Sequence, residues 1–279
     1  MESPVDHRLA RLLESTDDDF DLAEAALLMA VDEYPELDVG RYLARLDALS
    51  DVVRRRLPAS ASDESRLATL NEVLFTEERF AGNTDAYYDP RNSFLHEVLE
   101  RRLGIPITLS ILYLAVGRRA GLALDGVSFP GHFLVKLAVD DGAIVLDPYS
   151  AGASLSEDEL IGLLQRVAGQ VERSAVSLVQ LLTTASKRDI LARMMRNLKA
   201  IYLRQNDWPK ALSAVQRIML VSEAAEEVRD RGLIYQRLEC FRAAVVDYER
   251  YLTLLPTAAD GQEIQDRIDA LQPLIARLH

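Results

Sequence analysis

The 279 residues carry 49% hydrophobic and 27% charged side chains, with a formal net charge of -12. That is a globular composition, long enough for one large or two modest domains, and its acidity argues against nucleic acid or an anionic membrane as a partner, because both attract basic patches. The single cysteine, Cys240, excludes a disulfide within the chain and suits a reducing interior.

The acidity is uneven: residues 1–190 hold 19 basic and 32 acidic side chains, residues 191–279 hold 13 and 12. Met1-Glu-Ser-Pro-Val-Asp6 has neither the basic nor the apolar stretch of an export signal, and no run approaches the roughly 18 apolar residues that span a bilayer. The expected compartment is the cytoplasm, with no membrane partner. From Val5 to Leu57 the pattern is helical, with Leu9, Leu12 and Leu13 at helix spacing, then Leu22 to Val31 and Tyr42 to Leu49. Asp17, Asp18, Asp19 and Asp21 place acids at a helix start, and Arg54-Arg-Arg56 reads as a solvated helix end favouring cations. Ala59 to Asp63 is a short linker, Leu67 to Phe75 another helix, and Phe80 to Pro90 an aromatic loop. Asn92 reads as the start or cap of the next helix. In that helix His96-Glu97-Val-Leu-Glu100 has the first half of a zinc-binding motif but no second His, so it reads as an ordinary helix face, and no metal or cofactor is expected.

Gly104-Ile-Pro106 opens a further helix, since Pro suits the first helical turn, and Gly121 closes it. Beyond Gly126 the pattern turns β-rich: Val127 to Pro130, then His132 to Val139, a polar turn Asp140-Asp141-Gly142, and Ala143 to Asp147. A hairpin turning at Asp141-Gly142 sets Asp147 opposite Lys136, four residues from His132, so a direct His132–Asp147 pair would require a longer loop or a bulge. Each residue also has an ordinary reading, His132 as a hydrogen-bonded core histidine and Asp147-Pro148 as a strand-ending turn.

Gly-Ile-Pro106, the helix ending Arg118-Arg-Ala-Gly121, Pro130-Gly-His-Phe-Leu-Val135 and Leu146-Asp-Pro148 resemble, in that order and spacing, the transglutaminase-like core of the bacterial Sir-B-type proteins, which is followed by tetratricopeptide (TPR) repeats. The resemblance implies a papain-like helix and antiparallel sheet, with the family's His at His132 and its Asp at Asp147. The nucleophilic Cys of related enzymes, at a helix start where dipole and imidazole favour thiolate, falls on or near Pro106, which cannot attack a carbonyl. Ser110, one turn further along the same face, is the candidate replacement. Cys240 reads as a small semi-buried residue between helices.

Ser156 three residues before Glu159 is a capping box, Ala175 to Thr184 reads as strand or connector, and from Asp189 the chain is helical. Tyr202, Trp208, Ala211 and Val215 are echoed 33 residues later by Tyr235, Phe241, Ala244 and Tyr248, with Pro256 closing the unit and Gly261 to Leu278 capping it. The expected fold is therefore α+β: residues 1–186 a transglutaminase-like domain under an N-terminal helical layer, residues 187–279 TPR-like helices. The expected function is a regulatory pseudoenzyme that binds a protein or peptide through the TPR-like groove. The alternative is a hydrolase or transferase acting on amide bonds, with His132 and Asp147 served by Ser110 or water.

Overall fold

The computed structural model describes residues 4–16, 19–139, 142–169, 177–222 and 224–276. Helices α1 (Pro4–Leu13), α2 (Leu22–Leu28), α3 (Val39–Arg55) and α4 (Asp63–Asn71), the last running into a π-helical turn at Glu72–Glu77, lead to strand β1 (Ala81–Gly82). A 3₁₀ turn at Pro90–Ser93 precedes α5 (Leu95–Arg101), β2 (Leu103–Gly104) and α6 (Pro106–Arg119). Next come β3 (Leu124–Val127), β4 (Leu134–Val139), β5 (Gly142–Asp147), β6 (Ala153–Ser154), α7 (Glu157–Ala168), α8 (Leu178–Leu181) and α9 (Lys187–Gln205). The chain then forms α10 (Trp208–Met219), α11 (Ala225–Arg237), α12 (Phe241–Leu254) and α13 (Gly261–Ala276). This is the α+β combination expected, in two compact units, Met1–Ile190 and Leu191–His279.

Helix α6 is the axis of the first unit. Every residue from Pro106 to Gly117 is buried, as a helix apolar on all sides must be, and it packs against α2, α3 and α5 and against β3 and β4. Pro106 sits in its first turn and Gly121, at φ +93°, follows its end, as the sequence signals. The main sheet is antiparallel in the order β3-β4-β5-β6, while β1 and β2 form a separate short parallel pair. Helix α7, opened by the Ser156–Glu159 capping box, lays Leu160 and Leu164 against Val127, Phe129, Leu134 and Val145 of the sheet region.

In the second unit the 33-residue echo corresponds to successive helix starts, Trp208 for α10 and Phe241 for α12. Ala211 and Ala244 are fully buried, and a Cβ on Gly232 would stand 2.8 Å from the Tyr248 ring, so α11 and α12 cross closely because the contact residues are small. Beneath the apolar contacts, Lys199 bridges Glu227 (2.6 Å) and Asp230 (2.7 Å), and Arg231 grips Asp247 through two bonds of 2.7 Å.

The acids expected at a helix start include the α2 cap, and several other expectations are revised. Asp21 is the cap of α2, accepting from the Ala23 and Glu24 amides, whereas Asp17 and Asp18 lie outside the described residues. Asn92 does not cap α5: Phe94 precedes that helix, and the Asn92 amide instead bonds Asn83, the Ala86 and Tyr87 carbonyls and Arg101. Of the segment 175–184, Ala175 and Val176 lie outside the described residues, Leu178–Leu181 is a short helix, and Thr184 makes one antiparallel bridge to Val127. Cys240 is exposed rather than semi-buried, at the start of α12. Leu278 lies outside the described residues. Among the described residues no helix is long and apolar enough to cross a membrane.

Candidate functional site

The β4–β5 ladder pairs Val135 with Leu146 and closes at Val139 with Gly142. Two residues therefore separate the strands, Asp140 and Asp141, and both lie outside the described residues. The register differs by two residues from a turn at Asp141-Gly142: Lys136 faces Val145, and the ladder carried one step further sets Asp147 opposite Leu134. Gly142, at φ +150°, is accommodated at the start of β5 rather than in the turn. His132, two residues before Leu134, shares the face of Asp147 as its diagonal neighbour, and no bulge is required.

His132 Nε2 lies 2.9 Å from Asp147 Oδ1. The same oxygen accepts the Tyr149 amide at 3.0 Å, and Oδ2 accepts the Ser150 hydroxyl at 2.8 Å. Burial alone pushes the Asp147 carboxyl up, but the bonds from His132, Ser150 and the Tyr149 amide, with the His132 charge, hold it below its ordinary value. These three donors hold the Asp147 carboxylate ionised and aimed at His132 Nε2. Ser150 and Tyr149 were not singled out by sequence reasoning. The 3₁₀ turn started by Asp147-Pro148 was the only signal that could have found them.

The turn is fastened from below. Gly152 donates its amide to the Asp147 carbonyl at 2.8 Å, its own carbonyl accepts Asn71 Nδ2 at 3.1 Å, and Asn71 Oδ1 accepts the Tyr113 hydroxyl of α6 at 2.7 Å. Gly152 has φ +73° and would place a Cβ 2.2 Å from Asn71, so no other residue fits without displacement. The Tyr149 ring stands edge-on to His132 at 6.0 Å and covers Gly82, where a Cβ would fall 2.4 Å from it. Burial, then the Asp147 charge, push the Tyr149 phenol up.

Pro130, Gly131, His132, Asp147, Tyr149 and Ser150 form one side of a cleft of about 350 Å³, completed by Leu163, Arg166 and Val167 of α7. Ser110 is fully buried, and its hydroxyl donates a long 3.4 Å bond to the Phe133 carbonyl. Thr108 is likewise buried, its hydroxyl donating to the Asn92 carbonyl at 2.6 Å. Neither side chain is among those lining the cleft. Among the described residues no cluster of three His, Cys, Asp or Glu side chains could hold a metal.

Residues 40–196 match the transglutaminase-like superfamily, and residues 198–269 match a tetratricopeptide repeat. The chain is 41% identical over 242 residues to a UPF0162 protein of Xylella fastidiosa strain Temecula1, covering 86% of each. A UPF0162 protein of Vibrio cholerae is 30% identical over 265 residues, 93% of this chain and 97% of that one. F-box only protein 21 of Mus musculus is 35% identical over 147 residues, 50% of this chain and 22% of that protein. No solved structure matches significantly.

Proposed function

The chain belongs to the transglutaminase-like superfamily, among the UPF0162 proteins, and from that premise we propose that it is a regulatory, protein-binding pseudoenzyme of the cytoplasm. In this reading the core is of the Sir-B type, and its cleft holds a peptide segment without breaking an amide bond. The observation that carries it is the treatment of the two halves of the old site. The nucleophile position is Pro106, and the one candidate hydroxyl on that face, Ser110, is sealed in and bonded to a backbone carbonyl. The His132–Asp147 pair, by contrast, is kept assembled in a cleft beside Arg166. With Nε2–H engaged by the Asp147 carboxylate, the neutral ring presents Nδ1 as an acceptor for a peptide N–H, and Arg166 adds a cation that suits a peptide carbonyl or carboxylate. The TPR-like helices supply a second surface suited to a peptide or protein segment.

A second reading, hydrolysis by a water activated at His132, is favoured by the three donors that hold Asp147 ionised and aimed. The two readings separate on the full chain. Peptides selected from a displayed library should bind the intact protein and lose affinity for His132→Ala, while glutaminyl and acyl-amide peptides should release no ammonia or amine above the His132→Ala background. Turnover abolished by His132→Ala would sink the pseudoenzyme reading and establish the hydrolytic one.

A further inference from the structure

Two other cavities of the first unit are already completed by their own side chains. In the one of about 520 Å³ beside His96, Glu97 accepts the Tyr34 hydroxyl, Glu100 meets Arg41 at 3.2 Å and Arg45 at 3.5 Å, and both ring nitrogens are closed off from solvent. In the one of about 320 Å³ at the start of α2, Arg118 meets Asp125, Arg119 meets Asp21 and Asp47, and Lys187 donates to the Phe20 carbonyl. The cleft beside His132 differs in its one lining arginine. Among the described residues Arg166 makes no ion pair and no side-chain hydrogen bond.

Packing holds that guanidinium at the cleft. Leu163, Arg166 and Val167 stand at i, i+3 and i+4 of α7, so they share one face, beside the Leu160–Leu164 stripe that grips the sheet. Val167 closes on the turn before His132: a Cβ on Gly131, itself at φ +67°, would fall 2.2 Å from Val167 Cγ2. Only glycine allows this approach without displacement, and it brings the last turn of α7 against the neighbour of His132. The carboxylate already in the cleft is occupied elsewhere, since Asp147 accepts from His132, the Tyr149 amide and Ser150. An arginine left unpaired in a stretch where acids outnumber bases 32 to 19, residues 1–190, is open to an anion from outside. Next to it Pro130, Leu163 and Val167, the last 59% exposed, offer apolar surface.

The geometry points to Arg166 as the specificity-determining residue of this cleft: it receives a carboxylate of the bound peptide, whose neighbouring apolar side chain lies on Pro130, Leu163 and Val167. This rests on the peptide-binding reading of the cleft and adds to it the class of peptide. A free C-terminus ending in an apolar residue and an Asp or Glu side chain next to an apolar residue share this chemistry. The planar guanidinium can meet either carboxylate through two parallel bonds.

The test follows the His132 ring and Val167 methyl resonances of the full chain while four peptides are added: acetyl-Ala-Gly-Leu with a free carboxyl terminus, the same peptide as its amide, acetyl-Ala-Leu-Glu-Gly-amide and its Gln counterpart. At least one acidic peptide should bind about five-fold more tightly than its neutral partner, the factor that corresponds to about 1 kcal/mol, the upper end for an exposed ion pair. That preference should shrink in about 0.5 M NaCl and vanish in Arg166→Gln, which keeps the helix propensity. Preference for the free terminus over its amide assigns a chain end to the site, and preference for Glu over Gln assigns an acidic side chain. Equal binding of acidic and neutral peptides, or a preference that survives Arg166→Gln, overturns the carboxylate assignment while the peptide cleft stands. No shift with any of the four up to about 20 mM, beyond the millimolar affinity expected of short peptides, overturns both.

Discussion

Acid should act on this protein first through His96. Its folded pKa is lowered from 6.5 to about 4 by burial. Between those values the unfolded chain binds a proton that the folded chain refuses, so stability falls as pH drops from about 6.5 to about 4 and then levels off for this group. The gap of about 2.5 units corresponds to roughly 3 kcal/mol, an upper value because solvent at the cavity mouth screens part of the charge. The chain has four histidines, so the imidazole C–H signals can be assigned by comparison with His96→Phe. The signal missing in the variant, that of His96, should still be that of a neutral ring at pH 5 in the wild type. Hydrogen exchange of the α5 amides, which isolates the first unit, should lose up to about 3 kcal/mol more protection between pH 7 and pH 4 in the wild type than in His96→Phe. Carboxylates remote from the ring contribute equally to both and cancel, whereas Glu97 and Glu100 face it in the wild type. A His96 titration midpoint near 6.5, or equal acid sensitivity of the two proteins, would refute the reasoning.

Gly82→Ala should cost about 1–3 kcal/mol and shift the His132 ring signals, because its Cβ would fall 2.4 Å from the Tyr149 ring and must move the turn carrying Asp147; an unshifted His132 would contradict this coupling. Asp147 has a depressed folded pKa, so its stabilisation is present above the ordinary carboxylate range and lost below about pH 4. Asp147→Asn should therefore be less stable than wild type at pH 7, by about 1–3 kcal/mol, with the gap closing below pH 4 in thermal melts. Ser110→Ala should cost about 1 kcal/mol and leave every His132-dependent activity intact, since its hydroxyl makes only a long bond to the Phe133 carbonyl; loss of such an activity would restore Ser110 as nucleophile. Lys199→Met strands part of the Glu227 and Asp230 charge, with Arg196 still 2.6 Å from Glu227. The expected loss is about 3 kcal/mol in urea unfolding followed by the fluorescence of Trp208, the single tryptophan.

What the sequence made legible was whatever is encoded locally. The bounds of α6 follow from Pro106 and Gly121, the start of α7 from Ser156 and Glu159, and the helix repeat from residues 33 apart. Each of these signals acts within a few residues or at a fixed period. The hairpin register was misjudged because Asp-Asp-Gly carries turn chemistry at two adjacent positions, and Gly142 is equally at ease in the strand. His96 was read as an ordinary helix face because its aromatic surroundings include Tyr34, 62 positions away in the chain, and no local pattern announces that contact.

On the pseudoenzyme reading, the register also accounts for the separate fates of the two halves of the candidate site. His132 and Asp147 meet because a two-residue connection places Asp147 opposite Leu134; a shift of one residue would turn Asp147 to the other face and end the pair. Sheet packing enforces that register independently of any reaction, since Leu134 and Val145 belong to the apolar layer under α7. The turn after Asp147 is likewise held by Gly152, Asn71 and Tyr113, none of which lines the cleft. A nucleophile at the head of α6 has no such structural duty. Pro106 in that place fits the helix start better than a cysteine would, so on that reading a thiol there is dispensable to the fold while the His–Asp pair is not. An assembled pair is therefore weaker support for catalysis than a reactive group would be, and the pseudoenzyme reading expects His132→Ala to lose peptide binding with amide release unchanged from background.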